Sequence, residues 1–188
     1  MPTMGNREDL LNGALRCLYE KGYARTTLRD IAAAAGVSMA AVGYHYGSTE
    51  KLLNIALMRA LEEWGAAFGG ALAEGGTALW DGIIASVEAH GATATASFEA
   101  FVQSQRVPEL REQIAAGQRA GRRGLAAMVT GTPEDEVSDH AARTVGSVHL
   151  ALITGLIVQW LTDPEHAPSG AEVVEGLHAL SAHITDDR

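Results

Sequence analysis

Residues 27–46 hold the side chains best suited to chemistry on a partner. The run reads Thr27-Leu28-Arg29-Asp30, Ile31, four alanines to Ala35, Gly36-Val37-Ser38, then Met39-Ala40-Ala41-Val42-Gly43-Tyr44-His45-Tyr46. A hydroxyl followed three residues later by a carboxylate has the form of a capping box, so Thr27 and Asp30 start one helix. Gly36 stops it, and Ser38 caps a second short helix after a tight turn. Two such helices joined by a glycine-containing turn form a helix-turn-helix. In DNA reading, the second helix lies in the major groove and shows its N-terminal half to base edges. It therefore needs an apolar inner face, which Val37 and Val42 supply. Ser38, Met39, Ala40, Ala41, Tyr44 and His45 then lie outward or flank the phosphates. Helix N–H groups beside Ser38 would face a phosphate. Arg25, Thr27, Arg29 and Lys51 complete the candidate DNA-contacting set. The reading face has no Arg, Lys, Asn or Gln, so bidentate base contacts are scarce. Met39 and Ala41 can meet thymine methyls, His45 a base or phosphate, and Arg29 a base edge.

The elements around this motif are helical. Of 188 residues, 47% are apolar and 20% charged, which suits a packed core. Almost every segment has helical period, and no strand alternation stands out. The reading is an all-α chain of about nine helices. The first runs from about Arg7 to Lys21, with Leu11, Ala14, Leu15 and Leu18 on one face. Ser48 caps the fourth, a long helix to about Phe68. The fifth and sixth span about Thr77–Ala89 and Thr93–Arg106. The seventh starts at Pro108 and ends near Gly131. An eighth (about Glu134–Leu161) opens on an acidic turn, and a ninth covers about Ala171–Ile184. The domain division expected is 1–47 for the helix-turn-helix and 48–188 for the rest, with the fourth helix as connector.

Charge is unevenly spread. The net charge of −9 excludes a uniformly basic nucleic-acid coat, but residues 1–51 carry six basic against five acidic side chains. The acid sits in the C-terminal part. One cysteine, Cys17, forbids an internal disulfide and suits a reducing compartment. The best candidate for a membrane span, Val148–Val158, is too short and contains His149, Thr154 and Gly155. The chain reads as soluble and cytoplasmic, with no membrane partner.

The stretch TTLRDIAAAAGVSMAAVGYHYGSTEKLLNIAL resembles the DNA-binding region of the tetracycline-repressor (TetR) family of bacterial regulators. The likeness covers roughly residues 7–55. GLIVQWLTDPE (Gly155–Glu165) resembles the end of that family's eighth helix. Two positions depart from the pattern: Gly43 stands where Tyr is frequent, and Thr49 where Lys is frequent. Both remove phosphate contacts. The resemblance implies a homodimeric, ligand-responsive repressor. It would bind a palindromic double-stranded operator and be released by a small-molecule effector. The fourth helix is then the lever.

Dimerisation through the eighth and ninth helices is also what the resemblance implies. Bulky Val145, Val148, Leu152 and Leu156 alternate there with small Gly155, and Val174, Leu177, Leu180 and Ile184 follow. These stripes also suit a monomer core. An effector cavity is implied in the same way. Its candidate lining is Trp64, Phe68, Trp80, Phe98, Phe101, Met128 and Trp160, with Gln103, Thr130, His149 and Gln159 as polar groups. The aromatics would serve equally as core.

Enzyme motifs are missing. Seven histidines form no HExxH or zinc pattern, and there is no P-loop or nucleophile elbow. No metal or cofactor is expected. Arg119, Arg122 and Arg123 form a basic cluster that suits a solvent face, salt bridges or an anionic effector. The alternative reading is a small-molecule-binding or scaffold protein of the same fold with lost or weak DNA binding, which Gly43 and Thr49 favour.

Overall fold

The computed structural model describes residues 4–67 and 75–184. Among them are eight α-helices and no strand: α1 (Met4–Lys21), α2 (Leu28–Ala35), α3 (Met39–Tyr46), α4 (Thr49–Ala67), α5 (Gly76–Ser104), α6 (Pro108–Thr130), α7 (Asp139–Thr162) and α8 (Gly170–His183). The all-α reading holds, with one helix fewer than expected. The fifth and sixth predicted helices are one, α5, bent at His90, whose φ of −125° and ψ of 27° leave the helical region. The expected break between Ala89 and Thr93 is thus a kink within a continuous helix. The acidic run Glu134–Glu136 forms a short 3-10 turn, and α7 begins only at Asp139.

Local signals set these boundaries. Thr27 and Asp30 form both halves of the capping box at α2. Gly36 ends α2 with φ of +69°, and the Val37 N–H reaches back to the Ala32 carbonyl at 3.1 Å. Ser169 and Glu172 form a second capping box at α8. A π turn at Ala142–Gly146 interrupts α7. There α7 runs against α6 so closely that a Cβ on Gly146 would stand 2.0 Å from the Arg122 carbonyl oxygen.

The chain forms two compact units. One comprises Met1–Ala66 and His90–Ala115, the other Ala67–Ala89 and Ala116–Arg188. The kink in α5 falls at the division, and both α5 and α6 run from one unit into the other. The first unit buries Leu10, Leu18, Ile31, Val42, Leu52, Leu57 and Leu110 almost completely. The second packs Leu79, Trp80, Ile83 and Val173 with Leu152, Leu156, Val174 and Leu177 around them.

The stretch Val148–Val158 lies inside a much longer helix. Over 18 residues α7 has a mean hydropathy of 1.6, which together with its 24-residue length would suffice for a membrane span, and 11% of that window is buried. Side chains on α7 and α8 are open, with Val148 at 62% exposure and Leu180 at 62%, as is Ile184, just past α8, at 77%.

Candidate nucleic-acid interface and ligand cavity

The helix-turn-helix is held from its inner side. Val42 is 1% exposed, and Val37 packs against the same core. Tyr46 closes the far end of α3: its hydroxyl donates to the Arg7 carbonyl at 2.7 Å, and the Arg7 guanidinium lies 5.4 Å from the ring centre. Burial pushes the Tyr46 phenol up. Tyr23 is pinned similarly, its hydroxyl donating to Asn54 Oδ1 at 2.5 Å. These tyrosine anchors tie α3 to α1 and the α1–α2 turn to α4. Each joins residues more than thirty positions apart, so no local spacing announces them.

The outer side is open. Ser38, Met39, Ala40, Gly43 and Tyr44 are exposed, Tyr44 by 73%. Ala41 is half-buried and packed on the core. The sequence grouped it with the outward residues, but the turn of α3 carries it to the flank. Ser38 occupies the N-cap position without a side-chain capping bond. Its hydroxyl is therefore available to an outside acceptor, and the α3 N-terminus stays an anion-facing end. His45 is half-buried, its ring edge-on to Tyr44 with centroids 4.9 Å apart, and its Nε2 is buried without a hydrogen-bond partner.

Cations flank this face. Arg25, Arg29 and Lys51 are exposed, the first with its Nε donating to the Lys21 carbonyl at 2.9 Å. Thr27 is engaged in its capping box. Its hydroxyl donates to Asp30 Oδ2 at 2.6 Å, and Lys21 Nζ lies 2.5 Å from Asp30 Oδ1. Lys21, then the Thr27 hydroxyl and N–H, hold the Asp30 carboxyl at about 2. That ties the α1 C-terminus to the α2 N-terminus, beside the exposed Arg25 and Arg29. The Ser48 hydroxyl accepts the Lys51 N–H at 3.1 Å, capping α4 beneath α3.

A cavity of about 490 Å³ opens in the second unit. Trp80, Met128 and His149 line it, together with Leu79, Val129, Val174, Leu177 and His178. Trp80 and His149 stack at 5.3 Å with 22° between their planes. His149 Nε2 is buried and unpartnered, and burial lowers the pKa of the ring.

The other candidate lining residues do not join this cavity. Trp64 belongs to the first unit and is buried. Phe98, Phe101 and Gln103 also lie in the first unit, Phe101 half exposed. Trp160 donates its indole N–H to the Pro168 carbonyl at 3.2 Å, and Gln159 lines a separate surface hollow with Asp163 and His166. Thr130 turns its hydroxyl to the Ala126 carbonyl at 2.8 Å. Phe68 lies outside the described residues. In the basic cluster, Arg123 is a structural pin, its two terminal nitrogens donating to the Val137 carbonyl at 2.5 Å and to Asp139 at 2.7 Å.

Of the expected dimer contacts, Val148, Gly155, Leu180 and Ile184 are exposed, and Val145, Leu152, Leu156, Val174 and Leu177 are half-buried. No group of His, Cys, Asp and Glu able to hold a metal occurs among the described residues.

Comparison with known proteins agrees with this architecture. A family model described as bacterial regulatory proteins of the tetR family matches residues 10–55, and one described as a tetracyclin repressor-like C-terminal domain matches residues 71–182. The HTH-type transcriptional repressor AcnR of Corynebacterium efficiens is 41% identical over 56 residues, 30% of this chain and 29% of AcnR. The HTH-type transcriptional regulator TtgR of Pseudomonas putida is 40% identical over 57 residues, 30% of this chain and 27% of TtgR. The likeness thus spans less than a third of each of these curated relatives. Whole-chain likeness is to solved folds. A transcriptional regulator from Rhodococcus sp. Rha1 aligns with a TM-score of 0.70 at 20% identity, covering 96% of this chain and 99% of that one. The multidrug binding protein EbrR, complexed with imidazole, aligns at 0.68 and 21% identity, covering 94% and 93%. With an exposed, well-anchored α3 and both family models placed along its length, the chain belongs to the TetR family of bacterial regulatory proteins.

Proposed function

We propose that the protein is a homodimeric transcriptional repressor that binds a palindromic operator and is released by a small-molecule effector. Residues 1–47 form the reading head, and residues 48–188 carry effector binding and dimerisation. The observation that carries this reading is α3: fixed inward by Val42 and Tyr46, it presents Ser38, Met39, Ala40 and Tyr44 to solvent. Two such helices in one dimer would enter successive major grooves about 34 Å apart. Arg25, Arg29 and Lys51 contact phosphates beside them.

Dimerisation uses α7 and α8. Their open valines and leucines are the apolar area that a four-helix interface would cover. The same contact accounts for an apolar α7 in a protein with no membrane partner, consistent with a cytoplasmic regulator. The effector occupies the cavity of Trp80, Met128 and His149, an apolar hollow with one unpaired polar atom. EbrR has been crystallised with imidazole and with proflavin, small ring compounds of a size such a hollow admits. The effector acts by binding more tightly to a state with wrongly spaced reading helices. Because α5 and α6 run through both units, they join α4 as levers.

The test is a gel shift against DNA flanking the protein's own gene. Retardation of one palindromic fragment, weakening steeply with salt, is expected. No retardation of any flanking fragment at low salt would defeat the proposal. The bare Gly43 position favours a second reading, a ligand-binding protein with lost or weak DNA binding. Its mark is thermal stabilisation by small molecules with no operator selected from random DNA.

A further inference from the structure

We infer that α3 discriminates bases through thymine methyl groups and not through hydrogen bonds to base edges. The inference rests on α3 being the reading helix and adds what that helix reads. Strong base discrimination in the major groove comes from bidentate Arg or Lys to guanine and Asn or Gln to adenine. None of these residues occurs between Ser38 and Tyr46.

The structure narrows what remains. Ala41, Val42 and Tyr46 are turned to the core. His45 has Nε2 buried, which removes the paired use of its two ring nitrogens. Ser38 sits at the helix start, where its free hydroxyl suits a phosphate. Tyr44 offers one hydroxyl, enough for a single hydrogen bond and unable to define a base pair alone. The remaining exposed surface is apolar: Met39, half exposed, with Ala40 and Gly43.

These three share one face, since Met39 and Gly43 are four apart and Ala40 and Gly43 three apart. A Cβ built on Gly43 meets nothing within 4 Å. The bare backbone there leaves a shallow notch one turn beyond Met39 and Ala40. A thymine C5 methyl is a small apolar projection into the major groove, and it is the group such a surface can cover. Met39, flexible and polarisable, adapts to its position. The cations able to make strong polar contacts, Arg25, Arg29 and Lys51, lie outside α3.

The experiment uses the full chain and an operator selected from random duplex DNA. Each thymine is replaced in turn by deoxyuridine, which removes only the methyl. Each guanine is replaced by 7-deazaguanine, which removes the N7 acceptor. At the thymines under α3, uridine should weaken binding about fourfold per methyl, the worth of one buried carbon. At guanines under α3, deazaguanine should change it by less than about twofold, because no bidentate contact is lost there; a larger loss that disappears in Arg29→Ala belongs to α2. Met39→Ala, at an exposed position, should lower affinity and abolish the penalty at one uridine position. Uridine-substituted operators binding as tightly as the parent would overturn the inference, as would a loss above about twofold on deazaguanine that persists in Arg29→Ala. Failure to select any sequence from the pool is a separate outcome, which defeats the assignment of α3 itself.

Discussion

The Glu99 carboxylate accepts the backbone N–H of Ala24 at 3.1 Å, across 75 positions of sequence. Helix α5 thereby grips the turn that leads into the helix-turn-helix. The same carboxylate fills the space above Gly22, where a Cβ would stand 2.6 Å from Oε2, and Gly22 itself has φ of +81°. Gly22→Ala therefore meets both strain and crowding, and should lose about 1–3 kcal/mol in urea unfolding. Glu99→Gln, which keeps an acceptor, should unfold close to the parent. Glu99→Ala should lose about 1 kcal/mol and weaken operator binding with it.

Gly146 has ordinary helical dihedrals and no space. A Cβ there would lie 2.0 Å from Arg122 O and 2.8 Å from its carbon, both backbone atoms that cannot swing away. Gly146→Ala should cost roughly 3 kcal/mol or more by forcing α6 and α7 apart. Gly121, inside α6, would meet nothing within 4 Å. Gly121→Ala should therefore gain about 0.5–1 kcal/mol of stability from helix propensity and raise the denaturation midpoint accordingly. Equal effects at the two positions would contradict the packing described.

The contrast between these two glycines shows what was legible in the sequence. Thr27, Asp30, Gly36 and the Val37/Val42 pair announce the helix-turn-helix because capping and helix period act over a few residues. The long-range contacts, Tyr46 with Arg7, Tyr23 with Asn54 and Glu99 with Ala24, depend on how helices cross, which local spacing does not encode. Aromatic side chains are ambiguous for the same reason. Trp80 lines a cavity with His149, whereas Trp64 is packed in the other unit and Phe101 is exposed. The sequence pattern ends one helix near Ala89 and begins another near Thr93, yet α5 runs through this stretch with a kink at His90.

The Lys21–Asp30–Thr27 cluster predicts a pH response at the start of α2. Asp30 has its folded pKa lowered to about 2. Its contribution to stability is therefore complete above its unfolded value of about 3.9, and it is lost as pH falls toward the folded one. Carbon-detected NMR titration should place the Asp30 midpoint near 2 and move it upward in Lys21→Ala. Thr27→Ala should lose about 1 kcal/mol as the cap disappears. An unmoved midpoint in Lys21→Ala would show that the pair does not govern the carboxyl.

The proposed dimerisation makes a prediction at Val148 and Leu180, each 62% exposed. Charges placed there would have to be desolvated in an α7–α8 interface but cost little on a free surface. Leu180→Asp, and more strongly Val148→Asp with Leu180→Asp, should give a monomer in sedimentation velocity with unchanged helical content. The monomer should bind a single half-site weakly and lose cooperative operator binding. Double variants that sediment as the parent does would place the interface elsewhere.

His149 joins the cavity to acid sensitivity. Its ring stacks on Trp80, and its Nε2 is enclosed without a partner. Burial lowers its pKa from the ordinary 6.5, because the charged ring loses hydration. As pH falls, the unfolded chain takes up this proton before the folded one does. The stability associated with neutral His149 is thus full above about pH 6.5 and declines as pH drops toward the folded pKa. His149→Phe keeps a flat ring against Trp80 and removes the titrating nitrogen. Its melting temperature should exceed the parent's by more at about pH 5.5 than at about pH 7.5, where both rings are neutral. The other six histidines are common to both proteins and cancel in the difference. A difference that stays constant between these pH values would mean that His149 titrates as freely in the folded protein as in the unfolded chain, and that the cavity does not exclude water from it.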